Sequence, residues 1–181
     1  LPPDGEGSIS TVPLGFKGFD HPADFETKAI GQLLDLALSL DRLYQDTGRR
    51  IRLAVEPEPF CLLETTDEAI AFFGRLFEAA AERFDPALAP EYLGLCYDAC
   101  HQAVEFEDVA DSIRRIDAAG IALNKIHVTC AIHLDDPANN RVDRVVRLGG
   151  APRAVAVDAR AVWVGVSWDA RREAGGAPAG G

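Results

Sequence analysis

The chain has 181 residues, with 18 basic and 29 acidic side chains and a formal charge of −11. That length suits one domain, and 48% hydrophobic with 26% charged residues is an ordinary globular composition, which excludes disorder or collagen-like repeats over most of the chain. The acidic balance argues against nucleic-acid or anionic-membrane binding, because phosphate contacts need clustered Lys and Arg, and no apolar run reaches the roughly 18–20 residues of a spanning helix.

Residue 1 is Leu, Met is absent, and Leu1–Gly7 has neither a basic n-region nor an apolar h-region. The expectation is an excerpt of a longer chain or an incomplete gene, without a signal peptide. Cys61, Cys96, Cys100 and Cys130 form no Cys-x-x-Cys pair, so no zinc or thioredoxin-like motif is indicated. Cys96 and Cys130 lie in apolar runs and are expected as buried free thiols. The chain is therefore read as reducing and cytoplasmic.

Residues 8–14 read as a short strand stopped near Pro13. From 24 to 46, Ile30, Leu33, Leu34, Leu38 and Leu40 recur at helical spacing, and Gly48 closes that helix. Residues 51–56 form a strand ended by Pro57 and Pro59. Thr65-Thr-Asp-Glu68 has the capping-box pattern, and the helix behind it carries Ile70, Phe73, Leu76, Phe77 and Ala80 on one face. Leu93–Asp98 is a strand. A shorter helix over 107–118 carries Val109, Ile113 and Ile116 and ends at Gly120, and Ile121–Cys130 is a fourth strand.

Strands alternating with helices imply parallel strands joined by crossover helices, and near-continuous apolar runs fit strands buried on both faces. An α/β fold follows, either a (β/α) barrel or an open doubly wound sheet. Without Gly-x-Gly-x-x-Gly after a strand, or a Walker A sequence, nucleotide-binding versions of the open sheet lose ground. Gly149–Gly181 uses only Ala, Gly, Val, Arg, Pro, Trp, Asp, Ser and Glu. Val155–Val157 and Val162–Val166 could each be a strand, and the stretch from Arg171 is too poor in apolar residues to fold. An out-of-frame translation and a natural flexible tail both fit. The division is 1–148, partial barrel, and 149–181, atypical tail.

Polar residues end three successive strands. Glu56 and then Glu58 follow the second, Asp98 and then His101 the third, and Lys125 and His127 lie near the end of the fourth. Parallel α/β folds place ligands at the carboxyl ends of their strands. Mixed oxygen and nitrogen donors suit Mn²⁺, Zn²⁺, Co²⁺ or Fe²⁺ better than an all-oxygen Mg²⁺ or Ca²⁺ site. A metal so held polarises a carbonyl or hydroxyl oxygen, and a neighbouring carboxylate or imidazole moves a proton. Ketose–aldose isomerisation or epimerisation through an enediolate needs that combination. Each residue also has a plainer reading: a cap or Arg partner for Glu56, a loop residue in Glu58, an Asx-type turn for Asp98 and His101, a core histidine in His127. Lys125 should face the same side as His127, and Lys17 is a weaker candidate for the same rim.

Leu-Ala-Val-Glu-Pro-Glu-Pro (53–59), Leu-Gly-Leu-Cys-Tyr-Asp-Ala-Cys-His (93–101) and Lys-Ile-His-Val (125–128) resemble the xylose isomerase-like TIM barrels, the superfamily of sugar-phosphate isomerases and epimerases and of endonuclease IV-type nucleases. With Ser-Thr-Val-Pro-Leu-Gly-Phe-Lys (10–17), Cys-Leu-Leu-Glu-Thr-Thr (61–66) and Cys-Tyr-Asp-Ala-Cys-His-Gln-Ala-Val-Glu-Phe-Glu (96–107), the chain is similar to EboE-type metabolite-traffic proteins, over roughly residues 8–134. The resemblance implies a divalent metal on Glu56, Asp98 and His127, with His101 near the metal or substrate. Glu58 and Lys125 join His101 as candidate catalytic groups. It implies a small-molecule substrate (a sugar, a sugar phosphate or a prenylated metabolite) and no nucleic acid.

Two departures stand out. No match exists for the superfamily's final Glu ligand, and four strands fall short of an eight-unit barrel of about 250 residues, so they read as approximately strands three to six. Open sheet edges on such a half-barrel invite self-association. The expectation is a fragment of a metal-dependent sugar (phosphate) isomerase/epimerase-like barrel; the alternatives are a non-catalytic metabolite-binding or trafficking protein and an inactive truncated product.

Overall fold

Large apolar residues alternate with small or polar ones along the central strands, and this alternation gives the sheet two different faces. A computed structural model describes residues 2, 4–11, 14–131, 152–157 and 162–166. Strands β1 (Glu6–Ser10), β2 (Arg50–Val55), β3 (Leu93–Asp98) and β4 (Leu123–His127) pair in that order, all parallel. Helices α1 (Phe25–Thr47), α2 (Thr66–Arg83), α3 (Leu88–Tyr92), α4 (Ala99–Val104) and α5 (Val109–Ala118) lie between them in sequence. The sheet curls. Across its concave face Lys125 Nζ of β4 donates to Ser10 Oγ of β1 at 3.0 Å, and Asn124 Nδ2 donates to the Leu53 carbonyl at 2.8 Å. The fold is a partial β/α barrel, a curled half-barrel with helices around it, and not the flat doubly wound alternative.

On the helix side, Leu53, Val55, Leu93, Leu95 and Tyr97 join Leu34, Phe72, Phe73 and Leu76 of the helices in one buried cluster. Fully burying such a side chain contributes roughly 1.5–3 kcal/mol. The helices start and stop where local chemistry directs. Gly48 adopts φ 67°, and its N–H donates to the Tyr44 carbonyl at 2.8 Å. Thr65 and Glu68 form the reciprocal capping box at the start of α2. The buried stripe of α2 is Ala69, Phe72, Phe73, Leu76 and Ala80, and the expected Ile70 and Phe77 pack on its flank, half-buried.

Two short helices, α3 and α4, are additions to the expected elements; five and six residues are too few to show a period. Strand β1 starts earlier than expected and ends at Ser10; Val12 and Pro13 lie outside the described residues. Strand β4 is shorter than the expected 121–130. Its pairing with β3 stops at Asp98↔His127, because β3 itself ends there and turns into α4. Beyond that point Val128 is 94% exposed. Cys130, expected to be buried, is exposed for the same reason, whereas Cys96 and Cys61 are buried; no disulfide joins any of the four cysteines.

Gly94 permits the close approach of β4. A Cβ there would lie 2.4 Å from the Ala122 carbonyl oxygen, and the ladder bulges just after it, between Leu95 and Cys96.

By contacts the chain divides into two units, Leu1–Thr129 and Cys130–Gly181. In the second, β5 (Pro152–Val157) and β6 (Val162–Val166) form an antiparallel pair, as expected of those valine runs. The stretch from Arg171, expected to be unfolded, lies outside the described residues. No helix among the described residues is long and apolar enough to cross a membrane.

Candidate metal centre

Parallel pairing sends the carboxyl ends of β2, β3 and β4 to one rim, so Glu56 and Asp98 both meet His127 there, although they lie 71 and 29 residues from it in sequence. His127 Nδ1 lies 3.2 Å from Glu56 Oε1 and 3.2 Å from Asp98 Oδ2. His101, one turn into α4, places Nδ1 3.5 Å from Glu56 Oε1 and 3.2 Å from the Pro57 carbonyl. Both carboxylates are deeply buried, Glu56 at 7% and Asp98 at 5% exposure. Among the described residues, neither forms an ion pair with Lys or Arg; their ion-pair partners are imidazoles. Buried carboxylates without a fixed cationic partner are costly, and a divalent cation would satisfy them.

Asp98 divides its two oxygens. Oδ1 accepts from the Cys100 N–H at 2.9 Å and from the Thr129 hydroxyl, capping α4, while Oδ2 faces His127. The Asx-type turn and the convergence on His127 are therefore both present. Burial, the largest single influence, pushes the Asp98 carboxyl up, but the hydrogen bonds from Thr129 and Cys100, with His101 nearby, outweigh it and hold it below the ordinary aspartate range. Glu58 moves the other way. Burial raises it, and although His101 opposes the shift, the charges of Glu56 and Asp98 add to it.

The donor atoms gather in three overlapping triads, each with all its atoms within 4.8 Å of one another: Glu56, Cys96 and His127; Asp98, Cys100 and His101; Glu56, Glu58 and His101. Of the six candidate residues, five thus share one rim. Lys125 stands apart. It is level with Cys96 in the ladder and donates to Ser10. Lys17 also lies elsewhere, its Nζ tied to Glu64 and, at 2.7 Å, to Glu68.

Cys96 and Cys100 are additions to the candidates that sequence alone supplies. The available signal is position: Cys96 precedes Asp98 by two residues on one strand, so both face the same side. Burial pushes the Cys96 thiol up to about 12, helped by the Glu56 charge, with Lys125 opposing. A separate cleft of about 320 Å³, lined by Leu14, His21, Phe25, Leu62, Phe72 and Arg75 among others, shares no residue with the triads.

No family model, curated protein or solved structure matches this chain.

Proposed function

We propose that the rim binds one divalent metal ion through Glu56, Asp98 and His127 and belongs to a barrel of the sugar (phosphate) isomerase/epimerase type, similar to the EboE-type metabolite-traffic proteins. The observation that carries this reading is the convergence of two buried carboxylates, neither paired with Lys or Arg among the described residues, on one nitrogen of His127. When bound, the ion would supply Lewis-acid polarisation of a substrate oxygen. The chain's own groups supply the rest. Glu58, which holds its proton to higher pH, gives or takes a proton at a substrate carbon or oxygen, and His101 exchanges it with solvent. Lys125, on the concave face below the rim, offers a cation for a substrate phosphate or carboxylate. Four cysteines outside any disulfide suit a reducing cytoplasm. The open edges, where Ile9 and Ile126 are each 54% exposed, suit self-association.

The test is titration of the purified 181-residue chain with Zn²⁺, Co²⁺ and Mn²⁺ by calorimetry. One ion per chain is expected. Asp98→Ala and Glu56→Gln should each weaken binding by more than tenfold, because losing even an outer-shell partner costs roughly 10–100-fold. Unchanged affinity in both variants overturns the ligand assignment. Exchange of solvent deuterium into a ketose or aldose phosphate, read by NMR, tests the proton transfer. Substrate binding without exchange overturns the isomerase reading in favour of a metabolite-binding protein.

A further inference from the structure

We infer that Cys96 is a protein ligand beside Glu56 and His127, a buried thiolate that makes this centre select Zn²⁺, Co²⁺ or Fe²⁺ over Mg²⁺ and Mn²⁺. This rests on the metal-binding reading of the rim and adds to it the identity class of the ion. Cys96 follows the register shift between β3 and β4, fully buried, on the same face as Asp98 and level with Lys125 of β4. Its Sγ lies 3.7 Å from His127 Nδ1 and 3.8 Å from Nε2.

The separations fit coordination to one centre. Bonds of about 2.3 Å to sulfur and 2.0 Å to nitrogen or oxygen in a tetrahedron put sulfur and nitrogen about 3.5 Å apart, and oxygen and nitrogen about 3.3 Å. The observed distances from His127 Nδ1 are 3.7 Å to Cys96 Sγ and 3.2 Å to Glu56 Oε1. Cys96, Glu56 and His127 offer three donor atoms that all lie within 4.8 Å of one another, while Asp98 groups with Cys100 and His101.

A thiolate is a soft ligand, which suits zinc, cobalt and iron and disfavours the harder ions. Coordination is balanced by simple exchange: the sulfur–metal bond forms as the S–H bond breaks, and the proton passes to solvent. Cys100 belongs to a different triad, with Asp98 and His101, and serves as the control thiol.

The experiment loads the full chain with Co²⁺ and records its absorption spectrum. A sulfur-to-cobalt charge-transfer band in the near ultraviolet is expected, lost in Cys96→Ser and kept in Cys100→Ser, with visible d–d bands retained in both. Zinc-edge X-ray absorption of the unaltered, zinc-loaded chain needs no variant and should show one sulfur scatterer at about 2.3 Å. Cobalt bound with no charge-transfer band and no sulfur near zinc overturns the role of Cys96 and leaves the carboxylate–histidine centre standing. A band that survives Cys96→Ser and is lost in Cys100→Ser also overturns it. Failure to bind cobalt or zinc at all overturns both readings.

Discussion

Along β2 and β3 the helix-side face carries Leu53, Val55, Leu93, Leu95 and Tyr97, and the concave face carries Ala54, Gly94, Cys96 and Asp98, with Glu56 just past the end of β2. Both sets are buried. They differ in what burial does for them. On the helix side it stabilises, because apolar area leaves water. On the concave face it removes water from two carboxylates and a thiol, which costs free energy unless a partner restores it. One strand thus holds its shape through one face and gathers reactive groups on the other. The helix-side energy is what tolerates the unfavourable rim.

Adjacent residues of β3 put that comparison at risk most directly. Leu95 is 1% exposed and Cys96 0%. Leu95→Ala should destabilise by about 2–5 kcal/mol, the range for a truncated core leucine. Cys96→Ala removes a single sulfur beside polar neighbours and should cost about 1 kcal/mol or less. Urea unfolding of both variants, without added metal, measures the difference. Equal losses would mean that the two faces share one energetic role.

The next effect concerns how closely the concave face closes. Gly94→Ala places a methyl 2.4 Å from the Ala122 carbonyl and 2.6 Å from Asn124 Nδ2. A backbone oxygen has no rotamer to escape into, so β4 must shift. The expected loss is about 1–3 kcal/mol, together with faster amide exchange at Leu95, whose N–H donates to the Ala122 carbonyl at 2.8 Å. Because β4 carries His127, the metal binding proposed for the rim should weaken with it. A stable Gly94→Ala with native affinity would show that the two strands do not need this approach.

Features that depend on neighbouring residues are legible in the sequence. The Thr65/Glu68 box and the αL residue Gly48 each declare themselves within four residues. Leu93–Asp98 has the same bounds in sequence and structure because its apolar run is dense and ends in a capping aspartate. Glu56, Asp98 and His127 are legible because each interrupts or ends an apolar run, which is costly without a purpose. Cys96 is not, since a thiol inside such a run looks like ordinary core. The true partners of Lys17, Glu64 and Glu68, lie 47 and 51 residues away, beyond any local pattern, so sequence alone left it a candidate for the rim. The ends of β4 are also beyond local reach, because an edge strand stops where its partner stops.

A smaller effect separates the candidate metal rim from the acidic cluster around Lys17. Glu105 is pushed up to about 7, by burial first and then by the charge and hydrogen bond of Glu64, with Lys17 opposing. Its ordinary value is 4.5, so the folded chain holds a proton that the unfolded chain gives up between those two pH values. Stability therefore falls as pH rises from about 4.5 through 7. Glu105→Gln keeps a neutral donor and has no proton to lose. It should match the unaltered chain near pH ~4 and exceed it near pH ~8, by about 1 kcal/mol once solvent screening is allowed for. Melting temperatures of both chains across that range read the sign. A larger advantage at low pH would reverse the assignment.

The smallest expected effect limits the comparison to strands that helices cover. Ile126 of β4 stands on the same side as its register partner Tyr97, yet it is 54% exposed where Tyr97 is 3%. Ile126→Thr keeps the β-branch that suits a strand and removes little buried area, so it should shift stability by no more than about 0.5 kcal/mol. Urea midpoints at two protein concentrations check this. A loss near ~2 kcal/mol that grows with protein concentration would mean that a second copy covers the edge in solution. The helix-side face would then extend across the outer strands as well as the two central ones, and its apolar residues would serve assembly as well as folding.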